Sequence, residues 1–444
     1  MQHIQGISRH QLQMSSLEDK ITADNPVRFI DAFVNHIDPV KIGFQPKILK
    51  TEGRPNFRLE VFLKLYLYGY LNGVRSSRRL EKECFRNIEV QWLLEAIYPN
   101  YHSIADFRKD NPKALKQLFK LFVSFLKDAE LIAGDTIAID GTKSRAHNSK
   151  KANYNQKKID KHKAYIDAKS QEYLDQLEQN DIQENPVAIK NIQQKIERLK
   201  QNKIKYELLE EELKNSGEPQ ISTTDADARA LLVQGQVVEV SYNIQAAVDS
   251  KHNLVVATHT INRNDKNALA AIALEVKENL ALETFTVLVD KGYHNGRELH
   301  TCKQNNITTI VAVPEQGKSN ENGTQPEYLV SKFIYNKENN SYTCPEGKTL
   351  TTTGSWHKKT GRTEESGYNF QKYRTPACKT CLVKGLCTSR NGGREIDRSQ
   401  YADAVEENHQ RYKDNPQLYR KRQEINEHIF GTIKRKWGYN YTDL

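Results

Sequence analysis

What most restricts the fold of this 444-residue chain is a change of period at Gly134. Beyond it GDTIAID, YNIQAAVD, NLVVATHTI, FTVLVD and ITTIVAVP are short apolar runs rich in β-branched residues, and each predicts a strand. Only Ser250, Lys251 and His252 separate the second run from the third, which suits an antiparallel hairpin. NALAAIALEVKENLAL, between the third and fourth, reads as a helix that returns the chain to a parallel strand. The expectation is a mixed sheet in an α/β unit.

Before Gly134 the period is helical. Residues 56 to 130 read as short helices: RLEVFLKLYLYGYLNG, then SSRRLEKECF from a Ser76/Ser77 start. A further start is expected at Ser103, where SIAD has capping-box spacing, and Pro112 suits the first turn of ALKQLFKLFVSFLKDAEL. The chain is too long for one ordinary core, so we expect a helical N-terminal domain over 1–130 and an α/β domain over 131–444. Within the second, residues 146–235 form a mostly helical insertion, broken near Pro186 with IKNIQQKIERLKQNKIKYELLEEELKN as its second arm. Residues 315–400 form a small cysteine-rich insertion, and NPQLYRKRQEINEHIFGTIKRKWGY reads as one closing helix.

With 37% hydrophobic and 27% charged residues the composition is globular, and the net charge of +10 makes a polyanion, most commonly nucleic acid, a natural partner. No apolar run approaches the roughly 18 residues that span a bilayer and no secretion signal opens the chain, so no membrane is expected and the location is cytoplasmic.

Asp140 ends the first apolar run and Asp290 the fourth, and strand ends are where side chains from distant segments meet on one rim. Glu427 comes from the closing helix. Three hard oxygen ligands with open positions suit Mg²⁺ or Mn²⁺. Each carboxylate alone is more often a turn or capping residue, and Asp135, on the opposite face of the strand, is read as only starting it. Arg420, Glu427 and Lys434 are seven apart and so share a helical face, while Ile425, Ile429, Ile433 and Trp437 form a core stripe. Gly431, one turn after Glu427, reads as a place of close approach by backbone or phosphate.

AIDGTKSRA, VLVDKGYHNGREL and RQEINEHIFGTIKRKWGY resemble the three motif regions of DDE transposases of bacterial insertion sequences. The resemblance covers most of the chain. Asp140 matches the first Asp, Asp290 before a Gly-Tyr pair the second, and Glu427 the Glu of the Glu-x6-Lys element that ends at Lys434. It implies a ribonuclease H-like core and two-metal phosphoryl transfer, in which water frees an element 3′ end and the 3′-OH then attacks target DNA. Implied partners are double-stranded DNA, as terminal inverted repeats and target, and a second copy in a homodimeric synaptic complex. Where the family places Arg four residues before the Glu, this chain has Gln423, which leaves Arg420 and Arg422 as the candidate basic partners. Glu424 competes with Glu427 as third ligand, but seven residues after it stands Gly431 rather than Lys.

Lys434 is expected on a phosphate near the scissile bond, with Tyr293, Arg420 and Arg422 around it. The stretch from Lys143 through Arg145 to Lys163 carries eight Lys or Arg against Asp160 alone, a composition that suits tracking DNA beside the first catalytic position. The helices around Arg75, Arg78 and Arg79 either read element ends or present Arg outward as any bundle does. Two rival functions stay open: a ribonuclease H-like nuclease without strand transfer, and a non-catalytic or truncated transposase-derived DNA-binding protein.

Cys378-x2-Cys381 has zinc-ribbon spacing, and with Cys344 and Cys387 it is expected to bind a structural Zn²⁺; four reduced thiols without metal are the alternative. Cys84 and Cys302 lie in helical contexts and are expected to be buried. The chain stops five residues after Tyr439, where the family continues into a further helix, so the reading frame is expected to be cut short and its activity low.

Overall fold

The computed structural model describes residues 7–442, leaving out 9, 13, 46–54, 149, 183–185, 235–236, 315–323 and 362–366. The chain divides into two compact units: Met1–Ala129 with Lys436–Gly438, and Glu130–Arg435 with Tyr439–Leu444.

The first unit is built from α1 (Pro26–His36), α2 (Leu59–Leu71), α3 (Ser77–Arg86), α4 (Ile88–Leu93), α5 (Tyr101–Asp110) and α6 (Pro112–Asp128). α1 lies upstream of the stretch in which helices were expected. It begins at Pro26, whose missing N–H costs nothing there, under an Asn25 cap that accepts from Val27 N. α5 starts two residues before Ser103, because Asn100 takes the Ser103 N–H at 2.9 Å and so caps the helix itself. The core gathers Leu63 and Leu65 of α2 with Ile30, Leu80, Leu93 and Ile104, each worth roughly 1.5–3 kcal/mol of burial. Cys84, on α3, is buried as expected.

The second unit opens with β1 (Thr136–Arg145). A short β2 (Asn153–Tyr154), the long α7 (Gln156–Ile182) and α8 (Pro186–Ser216), and β3 (Ile221–Ser222) then form an arm whose base buries Ile159, Leu209 and Leu213. The chain returns through β4 (Arg229–Gln234), β5 (Val237–Asp249), β6 (Leu254–Ile261), α9 (Leu269–Leu280), β7 (Phe285–Val289), α10 (Gly296–Gln304) and β8 (Ile307–Val311). Among the described residues the main sheet has six strands: β5, β1, β7 and β8 lie in that order, with β4 and β6 both paired to β5. β5 runs antiparallel to β1, β4 and β6, whereas β7 is parallel to β1 and to β8. The sheet is mixed and contains the expected hairpin.

β1 does not stop at Asp140. β5 offers an antiparallel partner all the way from Ile137↔Asp249 to Arg145↔Ser241, so the polar GTKSR segment is held in the sheet although it lacks an apolar pattern. β7, by contrast, pairs with β1 only from Thr136↔Thr286 to Ala138↔Leu288. Asp135 accepts from Thr136 N and stands at the strand's start.

The cysteine-rich segment contains two small sheets, β9 (Ile334–Asn336), β10 (Ser341–Thr343) and β11 (Thr349–Thr351), then β12 (Trp356–Lys359), β13 (Tyr368–Tyr373) and β14 (Ile396–Ser399). The short α11 (Lys384–Cys387) lies between β13 and β14. α12 (Ala402–Asp414) and α13 (Pro416–Gly431) close the unit, and Ile425 of α13 packs with Ala138, Ala246, Val248, Leu288 and Ile310 on one face of the sheet. The closing helix is not continuous: Thr432–Lys436 form a π-helical turn. That wider turn breaks the 3.6-residue period, so the apolar stripe ends at Ile429, and Trp437 is 44% exposed. Gly431 sits at the join, and among the described residues outside its own helix nothing stands within 4 Å of where a Cβ would point. No helix among the described residues is long and apolar enough to cross a membrane.

Candidate active site

Because Ala138 pairs with Leu288 on the neighbouring parallel strand, Asp140 and Asp290, two residues further along each, come level at one rim. Each carboxylate gives one oxygen to the next backbone amide: Asp140 Oδ1 to Gly141 N at 2.8 Å, Asp290 Oδ1 to Lys291 N at 2.6 Å. Asp290 thereby caps the turn Lys291–Tyr293. Asp249, which also ends a strand, is different. Its two oxygens are taken by the amides of Ala133, Gly134 and Lys251, a purely structural arrangement.

Side chains alternate along β1, so Asp140 shares the face of Ala138, which packs against α13. From that helix Arg422 reaches Asp140 Oδ2 at 3.5 Å. Arg420 is exposed, so of the two candidate basic partners the structure brings Arg422 to the carboxylate. Burial pushes the Asp140 carboxyl above its ordinary range; the Gly141 amide and Arg422 oppose that rise, and the Asp265 and Asp290 carboxylates add to it. Glu427 and the competing Glu424 are both exposed on α13. Between Arg422 and Ile429 the polar residue that faces inward, beside Ile425, is instead Asn426, 1% exposed, with neither polar side-chain atom hydrogen-bonded.

Lys434 is not on the exposed face with Arg420 and Glu427. The π-helical turn rotates it inward, where its ammonium donates to the Lys143 carbonyl at 2.6 Å, and burial, with the Lys143 charge, holds its pKa down. Tyr293 is 1% exposed and donates its hydroxyl to Gln245 Oε1. Burial above all, and the Asp265, Asp140 and Asp290 carboxylates, push its pKa up. Arg145 is exposed and pairs with Glu239 at 2.9 Å. Within the basic stretch Lys158 donates to the carbonyls of Lys150, Lys151 and Asn153, and Lys163 pairs with Glu210, which leaves Lys150, Lys151, Lys157 and Lys161 exposed. In the first unit Arg78 and Arg79 are exposed on α3, Arg78 lying over the Tyr101 ring, and Arg75 is half-buried.

Sequence reasoning missed Asp265, which lies just after β6. Its Oδ1 accepts from Asn243 Nδ2 at 2.7 Å, Gln245 Nε2 at 2.9 Å and Lys143 Nζ at 3.4 Å. The signal available was the run of buried polar residues at period two on β5, Ser241, Asn243 and Gln245.

The four clustered cysteines come together around one cavity of about 30 Å³, floored by Phe333 and flanked by Arg394. Lys348 N donates to Cys344 Sγ at 3.3 Å, and burial pushes the Cys387 thiol up, Arg394 opposing and the other three thiols adding. Among the described residues no group of three or more His, Cys, Asp or Glu side chains stands close enough to hold a metal ion, neither at this cavity nor at the Asp140 rim. Cys302 is buried on α10.

Two family models match the chain: one described as Transposase domain (DUF772) over residues 15–110, and one described as Transposase DDE domain over residues 343–444. The second contains Arg422, Glu427, Lys434 and the four clustered cysteines; Asp140, Asp265 and Asp290 lie outside both. No curated protein and no solved structure matches.

Proposed function

Since the chain belongs to the DDE-type transposases of insertion sequences, we propose that it cleaves DNA at the element's ends and joins the freed strand to target DNA, with Asp140, Asp290 and Glu427 as its catalytic carboxylates. The observation that carries this reading is the level placement of Asp140 and Asp290 on neighbouring parallel strands, beside the helix that bears Glu427. The strand order β6, β5, β1, β7, β8, in which β5 alone runs against the others, supports a ribonuclease H-like core.

The donor set fits a hard divalent cation. It is all oxygen, and Asp140 is a half-buried carboxylate whose ionised form is disfavoured until positive charge offsets it. Asp140 and Asp290, joined by Glu427, would hold Mg²⁺ or Mn²⁺, which would supply charge stabilisation to the attacking and leaving oxygens. Arg422 keeps Asp140 directed toward α13, and Lys434 and Arg420 hold phosphates of the bound strand. Water attacks phosphorus and the P–O3′ bond breaks, leaving a 3′-OH on the element. That hydroxyl then attacks a target phosphodiester and displaces the target's own 3′ oxygen. The exposed lysines after β1 neutralise phosphates along the duplex. The helical first unit, with Arg78 and Arg79 outward, reads the terminal repeats, and two copies of the chain pair the two ends. A structural Zn²⁺ in the insertion is the reading of the Cys378-x2-Cys381 spacing with Cys344 and Cys387, four sulfurs being the donor set of such centres.

The test is cleavage and strand transfer on a duplex carrying the element's end, in Mg²⁺. Asp140→Ala, Asp290→Ala and Glu427→Ala are each expected to lose both reactions while still binding the end. Full cleavage by Asp290→Ala would falsify the assignment, and cleavage without any joining by the parent chain would make it a nuclease.

A further inference from the structure

The face of the main sheet opposite α13 carries a polar network that the reaction scheme does not use. Lys143, Asn243, Gln245 and the bare Gly141 face that side, because Gly141 pairs with Gln245 and Lys143 with Asn243 across β1 and β5. Asp265 closes the network from the turn after β6. One oxygen, Oδ1, gathers Asn243 and Gln245 of β5 and Lys143 of β1. Gln245 in turn accepts the hydroxyl of Tyr293, three residues after Asp290, and the Lys143 carbonyl accepts the Lys434 ammonium. A single carboxylate thus ties the strand that carries Asp140 directly, and through Gln245 the turn that follows Asp290.

Two further observations show how tightly this network is set against the reacting side chains. A Cβ on Gly141, the residue after Asp140, would stand 2.6 Å from Asp265 Oδ1 and 2.9 Å from Asn243 Oδ1, so the network lies against bare backbone. Asn243 and Gln245 are completely buried, and Asp265 takes the Gln245 amide N–H, so losing Asp265 leaves that buried donor unpaired, whereas Asn243 keeps its bond to the Arg263 carbonyl at 2.9 Å.

We propose that Asp265 is the positioning residue of this centre: from behind the sheet it fixes the separation of Asp140 and Asp290, and with it their joint grip on a divalent cation. The inference rests on the catalytic reading above. In this role Asp265 acts through its neighbours: its side chain lies on the opposite face from Asp140, and its Oδ1 is taken by Lys143 and the two amides.

The experiment is a Mn²⁺ titration of the full chain followed by electron paramagnetic resonance, with melting temperature recorded for every variant. Asp265→Ala is expected to fold and to bind Mn²⁺ about tenfold more weakly, a change of about 1.4 kcal/mol. The Mg²⁺ concentration for half-maximal cleavage should rise in parallel, so that excess Mg²⁺ restores much of the rate. Asp265→Asn keeps an acceptor for the same donors and is expected to recover part of the affinity. A merely structural role would lower the melting temperature and leave the Mn²⁺ affinity of the folded protein alone. Unchanged Mn²⁺ affinity in folded Asp265→Ala and Asp265→Asn overturns the proposal. If Asp140→Asn and Asp290→Asn also bind Mn²⁺ and cleave normally, it is the catalytic reading that fails; if they lose both while Asp265→Ala does not, only the positioning role does.

Discussion

Replacing Gly141 by Ala tests the packing on which the candidate site stands. In an ordinary strand this change is favourable, because Gly loses more backbone freedom on folding than Ala by roughly 0.5–1 kcal/mol. Here the new methyl would lie 2.6 Å from Asp265 Oδ1 and 2.9 Å from Asn243 Oδ1, and against Gln245 Nε2 as well. The neighbours are side-chain ends, which in a loose site would swing away. Asn243 and Gln245, however, are fully buried between strands and have nowhere to go. Overpacking costs about 1–3 kcal/mol, and pushing one donor off the Asp265 carboxylate roughly 1.5–3 kcal/mol more. After the backbone gain is subtracted, Gly141→Ala should destabilise the second unit by about 2–5 kcal/mol. A unit of this size melts about 2 °C lower per kcal/mol, so calorimetry of the full chain should find its transition roughly 4–10 °C down. Combined with Asp265→Ala, which makes room, the same substitution should cost less than it does alone, a coupling that a double-mutant cycle reads directly. A melting temperature equal to or above the parent's, or strict additivity with Asp265→Ala, would refute this account of Gly141.

Further outcomes follow from the charges and thiols. Burial, with Asp265 and Asp290 adding, holds the Asp140 carboxyl above its ordinary 3.8, so from there up to the raised value the folded chain holds more protons than the unfolded one and stability falls as pH rises. Asp140→Asn, which never ionises, should therefore melt above the parent at pH 7 in chelator and lose that advantage as pH falls toward 3.8; no advantage at pH 7 contradicts the burial argument. Replacing Cys378 and Cys381 by Ser should abolish stoichiometric zinc in protein purified without chelator and loosen the β9–β14 segment to proteolysis, whereas a parent chain free of zinc removes the Zn²⁺ reading.

The parts of this fold that were legible in the sequence are those where burial imposes a period. Apolar runs rich in Val and Ile predicted β5, β6, β7 and β8, and Asp140 and Asp290 stood out as carboxylates terminating such runs. Periodicity gave no warning that β1 runs on to Arg145, because the rest of that strand is held by the length of its partner rather than by its own side chains. Nor could a helical wheel show the π-helical turn that brings Lys434 to the Lys143 carbonyl, since a wheel assumes the very period that the turn breaks. Asp265 lies in the polar segment NRNDKN, where nothing in the local pattern sets one carboxylate apart from a solvated one. Its partners were better marked: polar side chains at every second position of a strand with an otherwise buried apolar pattern need something to bind. Two completely buried amides, Asn243 and Gln245, on the same face as a bare glycine call for an acceptor to be supplied from elsewhere in the chain, and in this fold the turn after β6 delivers it.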